Sequence, residues 1–163
     1  MRVLADHLRA VEANLELIDE QIEAGRQESA SAQTLETIPG IGALISAALV
    51  AHVPDPSAFR SGRDFAAWLG LVPRQNSSGG KDRLGKITKQ GNPYLRRLLV
   101  LGATASLRWL HKRTDPLAVW TRQLLKRRPA RLVTVALANK LARVAWAIMT
   151  TGELYRREAP SIG

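Results

Sequence analysis

Residues 35–53 read LETIPGIGALISAALVAHV, and the reading of this stretch decides the class of fold. Leu35 to Ile38 closes one helix, Pro39-Gly40-Ile41-Gly42 makes a tight turn, and Ala43 to His52 forms a second helix with an apolar face. The pattern is that of a helix-hairpin-helix. Its glycines let the backbone turn sharply and leave amides uncovered at the start of the second helix. Amides at the positive end of a helix suit a DNA phosphate and read no bases, which makes Gly40 and Gly42 candidate DNA-binding positions. A plain helical hairpin with a Pro-Gly turn is the alternative.

Upstream, Leu4, Leu8, Val11, Leu15, Ile18 and Ile22 recur at alternating spacings of four and three. That is a coiled-coil seam over about three heptads. So short a helix needs a partner, either another chain or its own domain, and periodicity leaves both open. Residues 26–34, RQESASAQT, break the pattern. Downstream, Pro54 and Pro56 end the second helix, and Arg63 to Leu71 reads as a short helix with Trp68 in the core.

Residues 72–92, VPRQNSSGGKDRLGKITKQGN, form one long polar stretch with no sustained strand pattern. A loop of about twenty residues inside a compact domain is expected to be functional. Three helices follow. Asn92-Pro93 opens one to about Lys112, Asp115-Pro116 opens one ending near Arg127, and Pro129 opens a last helix that Gly152 closes. Leu137, Leu141, Val144, Ala145 and Ile148 form the apolar face of that last helix. The expected fold is mainly α. A coiled-coil-like helix (1–33) precedes a compact helical domain (34–157) containing the helix-hairpin-helix and the basic Gly/Ser loop, and a tail (158–163) follows.

Charge points to a partner. The 163 residues hold 24 Lys and Arg against 14 Asp and Glu, a formal net of +10. The distribution is uneven, at −4 over residues 1–33 and +14 over residues 34–163. An acidic helix before a basic body suggests a polyanion bound by the body. Cysteine is absent, which removes disulfide and thiolate chemistry and fits a reducing cytosol. No apolar run reaches a membrane span and no secretory leader is legible, so a cytoplasmic protein without membrane contact is expected.

Three widely spaced histidines and scattered acids give no metal-ligand spacing, and no cofactor is expected in this chain. A nucleophile is better supported. Ser77 and Ser78 stand directly before Gly79-Gly80 among Arg74, Lys81, Arg83, Lys86 and Lys89. Cations there would neutralise the charge that builds as a serine attacks a phosphodiester. The same residues also describe a flexible surface linker. Asn92, Arg96 and Arg97 open the next helix near its positive end and complete the candidate DNA-binding set. Arg122, Lys126, Arg127, Arg128, Arg131, Lys140 and Arg143 form a second basic series.

Three runs carry a family resemblance: IPGIG (38–42), FAAWLGLVPRQNSSGGKDRLGKITKQGNPYLRRLLVLGA (65–103) and ANKLARVAWAIMTTGELY (138–155). Together they resemble the C-terminal domain of the insertion sequence 110/116/902 transposases, which include the Piv invertase. The resemblance covers about residues 34–155 and makes residues 1–33 similar to that family's coiled-coil segment. It implies DNA recombination in which this domain supplies a serine nucleophile, Ser78 by its place before the glycine, with Ser77 as the fallback. It implies magnesium only on a RuvC-like acidic domain that this chain lacks, and a structured guide RNA in some members. Self-association through the first helix is expected. The alternatives are a non-catalytic nucleic-acid-binding module derived from a transposase, and a structural protein whose charge serves solubility.

Overall fold

The computed structural model describes residues 2–78 and 81–156, with the side chains of Arg2, Arg26, 75–78 and 81–84 left undescribed. Gly79, Gly80 and the tail 158–163 lie outside the described residues. Seven α-helices and one two-stranded sheet make up the described chain: α1 (Arg2–Glu28), α2 (Ala30–Glu36), α3 (Ala43–His52), α4 (Gly62–Trp68), β1 (Pro73–Ser78), β2 (Lys81–Ile87), α5 (Pro93–Arg108), α6 (Pro116–Leu125) and α7 (Ala130–Thr151).

The capping chemistry explains several boundaries. Ser29 interrupts the first long helix and caps α2, its hydroxyl accepting from the Ala32 amide at 3.2 Å. Asn92 Oδ1 accepts from the Tyr94 and Leu95 amides, and Asp115 Oδ1 from those of Leu117 and Ala118. Both are followed by Pro at the first helical position, where the missing N–H costs nothing. Gly152 ends α7 in the left-handed region at φ 70°.

The core lies between α5 and α7, with α2, α3 and α4 around them. Leu95, Leu99, Ala103, Leu137, Ala138, Leu141, Ala142 and Ala145 are fully buried or nearly so. The alanines on α7 let neighbouring backbones come close. Of the face expected on α7, Val144 alone is only partly buried. Among the described residues, α7 is the one helix long and apolar enough to cross a membrane. Here it is the core helix, carrying seven buried residues. Trp68, expected in the core, is instead 37% exposed at the end of α4 and packs at the edge of the core against Phe59 and Phe65.

The polar stretch 72–92 is a further correction. The stretch expected to be a long loop contains an antiparallel hairpin, with Gln75 opposite Leu84, Ser77 opposite Asp82 and Ser78 opposite Lys81. The register shifts between Pro73 and Gln75, a bulge next to the root. Beyond the strands the pairing continues, with the Thr88 amide donating to the Val72 carbonyl and the Lys89 amide to that of Gly70. Backbone hydrogen bonds therefore organise a segment that has too few apolar residues to show a strand pattern.

α1 is a single helix of 27 residues. It does not fold back along the body, since every residue from Val3 to Gln21 is exposed. Only its C-terminal part touches α2 and α3, with Ile22 and Glu23 half-buried. The seam residues Leu4 and Leu8 are 73% and 60% exposed, so from Leu4 to Ile18 the seam is uncovered by the described residues.

Candidate nucleic-acid interface

Two places on α5 hold the residues singled out above. At its start stands the root of the β-hairpin. Gly91 has φ 81°, and a Cβ there would fall on the Trp68 carbonyl oxygen, so only glycine lets the end of α4 and the β2–α5 connection meet backbone to backbone. Arg96 closes the same junction. Its Nη1 donates to the Leu69 carbonyl at 2.9 Å and the Gln90 carbonyl at 3.1 Å. Asn139 on α7 adds a bond from Nδ2 to the Leu71 carbonyl at 3.2 Å. The hairpin thus leaves the body from a firmly held base.

Around this root Arg74, Lys86, Lys89 and Arg97 are exposed. Arg74 also donates to the Thr88 carbonyl across the hairpin at 3.3 Å. No salt bridge joins any of the four to a carboxylate among the described residues. Lys81, Arg83, Ser77 and Ser78 belong to the strands by backbone pairing. Their side chains lie outside the described set. Asn92 is placed as a helix cap. The neighbours Arg96 and Arg97 divide, one holding backbone carbonyls and the other facing solvent.

The turn with Gly40 and Gly42 lies against the middle of α5. A Cβ on Gly40 would come 2.9 Å from the Gly102 carbonyl oxygen, and one on Gly102 would strike the Gly40 carbonyl. This mutual approach seats the turn. Gly42 is exposed and caps α3 with no side-chain hydrogen bond, and the first turn of α3 has no acid. α3 then runs antiparallel to α5, so that the His52 ring meets that of Tyr94 at a tilt of 39°, with centroids 5.6 Å apart. Asn92 and Gly102 are separated by about 15 Å at 1.5 Å per residue. The structure therefore sets the glycine turn and the hairpin root on one rod rather than in one pocket. Between turn and rod runs a shallow groove lined by Pro39, Leu44, Leu98, Leu101 and Trp109, with Arg113 at its edge. Arg113 is already paired with Asp115 at 2.8 Å.

The second basic series also divides. Arg122 Nη1 donates to the Leu110 and Arg113 carbonyls at 2.8 and 2.6 Å. Lys140 sits 4.3 Å over the Trp120 ring, and burial, followed by the nearby Arg143 charge, lowers its pKa below the ordinary lysine value. Lys126, Arg127, Arg128 and Arg131 remain exposed. A simple sequence signal underlies all this basic surface. From Arg83 to Gly152 there are fifteen Lys and Arg and a single acid, Asp115, which the Arg113 pair neutralises. Among the described residues no group of three or more His, Asp or Glu side chains could hold a metal ion.

Residues 32–117 match the model described as Transposase IS116/IS110/IS902 family. A probable family 20 transposase of Pseudomonas aeruginosa is 47% identical over 96% of this chain and 46% of its own length. The transposase for insertion sequence element IS1111A of Coxiella burnetii is 41% identical over 85% of this chain and 38% of its own. That for IS1328 of Yersinia enterocolitica is 41% identical over 88% and 43%. The chain spans less than half the length of these relatives.

Proposed function

Because the chain belongs to the IS116/IS110/IS902 transposase family, we propose that it is the part of a DNA transposase that grips the DNA backbone and presents a serine for strand transfer. The observation that carries this reading is the hairpin. It is a basic, protruding element whose base is fixed by Arg96, Gly91 and Asn139, and it places Ser78 at the end of β1, opposite Lys81. A fixed base sets the direction in which the hairpin presents its reacting group to a phosphate.

In the proposed step the serine Oγ attacks a backbone phosphorus. A serine–phosphate ester forms as the bond to a DNA oxygen breaks, and that oxygen leaves with the proton. Cations near the root offset the charge that gathers on the phosphoryl oxygens. The exposed amides at Gly42 and the start of α3 supply a second, sequence-independent phosphate contact. The described residues do not fit the magnesium that the family resemblance implies, so no step is drawn through it. We assign that metal to the part of the relatives that this chain does not span. The projecting α1 seam is assigned to self-association, and a structured RNA is a second polyanion that the same surface would take.

A salt series with duplex DNA and with a structured RNA tests the binding. With six to ten phosphate contacts, affinity falls by about three to five decades between 50 and 200 mM salt. A flat response would refute a backbone grip. The chemistry is tested by supplying the missing portion of a relative together with magnesium and looking for protein bound covalently to a DNA end. Ser78→Ala should remove the adduct and leave affinity nearly unchanged, because one hydroxyl adds little beside the cations. An adduct that persists in that variant overturns the assignment to Ser78.

A further inference from the structure

The corner between α6 and α7 reads Lys126-Arg127-Arg128-Pro129-Ala130-Arg131, four cations in six residues, all exposed. No salt bridge joins them to a carboxylate among the described residues, and the sequence holds no Asp or Glu from Pro116 to Gly152. The other cations of these two helices have separate positions. Arg122 is spent on two carbonyls, Lys140 lies on Trp120, and Arg143, whose backbone packs on Gly62 of α4, is near enough to Lys140 for its charge to act there. The fold therefore sorts a diffuse basic series into one compact patch.

Such a patch is not neutral for the fold. Neighbouring cations lie within the Debye length of about 8 Å and repel one another. The negative end of α6 offsets this for Lys126 and the residues just after it. It does nothing for Arg131, which stands in the first turn of α7, where a cation is unfavourable. An external polyanion would relieve the whole set.

Position adds to the argument. Asn139 ties α7 to Leu71, just before the hairpin. Arg131 lies eight residues earlier on the same helix, about 12 Å along its axis. That distance matches about three to four nucleotide steps of one DNA strand at 3.4 Å each.

We propose that the Lys126–Arg131 corner is a second backbone-binding surface for duplex DNA, extending the track that begins at the hairpin root. The chemistry is bidentate Arg–phosphate contact with no base reading. The proposal rests on the DNA-binding reading above and adds a location and a length to it. Electrostatic contacts of this kind would lengthen the bound duplex by about three to four base pairs.

The test is a log–log salt titration with duplex DNA on three proteins, with far-UV circular dichroism as the folding control. These are the unaltered chain, a quadruple variant (Lys126→Ala, Arg127→Ala, Arg128→Ala and Arg131→Ala) and a root variant (Arg74→Ala, Lys86→Ala and Lys89→Ala). The quadruple variant is expected to keep its helix signal and to flatten the salt slope by about three to four. Its shortest tightly bound duplex should be about three to four base pairs shorter. The root variant should flatten the slope independently. An unchanged slope and length in the quadruple variant, with the parent chain still binding steeply, overturns the corner and leaves the root reading intact. A loss confined to a structured RNA hairpin also overturns it, because the surface would then be an RNA surface. If the parent chain itself shows no salt-dependent binding, the broader DNA-binding reading falls and this one falls with it.

Discussion

Replacing Gly91 by alanine tests whether the hairpin root is as tightly closed as its geometry requires. Two costs combine. At φ 81° an L side chain is strained, by about 1–2 kcal/mol. The new Cβ would also overlap the Trp68 carbonyl, a backbone atom that cannot rotate aside, and the forced shift adds about 1–3 kcal/mol. The less flexible unfolded chain returns about 0.4–1 kcal/mol. The net expectation is a loss of about 2–4 kcal/mol, most of it from the overlap and strain terms. Gly152→Ala is the matched control. It has φ 70° but open space around the Cβ, so only the conformational part applies and the net loss is about 1 kcal/mol or less. Urea unfolding followed by circular dichroism measures both variants, and a shift in midpoint with constant slope reports stability alone. Equal losses in the two variants would refute the closed root, because the backbone contact would then add nothing beyond the dihedral.

Arg96 and Arg97 should separate in function. Arg96→Ala removes charged hydrogen bonds to Leu69 and Gln90 and should cost about 2–3 kcal/mol in urea unfolding, whereas Arg97→Ala should cost under about 0.5 kcal/mol yet weaken DNA binding in the salt titration. Joint Leu8→Asp and Leu15→Asp substitution in the exposed seam should lower the mass seen by light scattering without changing the unfolding of the body, and an unchanged mass would remove α1 from self-association. Lys140 has a folded pKa below its unfolded value of about 10.4, so between those values the unfolded chain binds more protons and stability rises with pH. Stability measured as pH rises toward the ordinary lysine value of about 10.4 should show that rise, and Lys140→Met should lack this part of it.

Much of the helical frame was legible because the signals are local. Asn92-Pro93 and Asp115-Pro116 announce helix starts through one side chain and its next neighbours, and the caps form as read. Ala43 to His52 is bounded by Gly42 before it and Pro54 after it, and the helix has those limits. The hairpin was missed for a physical reason. PRQNSS and KDRLGKI contain only Leu84 and Ile87 as apolar residues, so no buried face imposes an alternation of two. The signal present was the Gly79-Gly80 pair between the partners Ser78 and Lys81, a composition suited to a two-residue connection. The roles of the arginines were not legible at all. Arg96 and Arg97, or Arg122 and Lys126, look alike in one dimension. Which guanidinium meets a carbonyl depends on where α4 ends and where the α5–α6 connection turns back.

The placement of α1 bears on how a basic surface can stay open to a polyanion. Residues 1–33 carry seven acids and three bases. If this helix lay along the body, its carboxylates would come within a Debye length of the cations at the root or the corner and compete with phosphate for them. The carboxylates from Asp6 to Glu20 do not pack along the body, because everything from Val3 to Gln21 is exposed, and α1 contacts only α2 and α3 among the described elements. Within the body α2 packs on α3 and α7, while α3 packs on α5. One exposed feature thereby has two consequences. It leaves the leucine seam from Leu4 to Ile18 uncovered by the described residues, and it leaves the carboxylates from Asp6 to Glu20 in solvent rather than packed on the body. A helix bound back onto that surface would hide both the seam and the cations, so the exposure of one and the openness of the other follow from the same geometry.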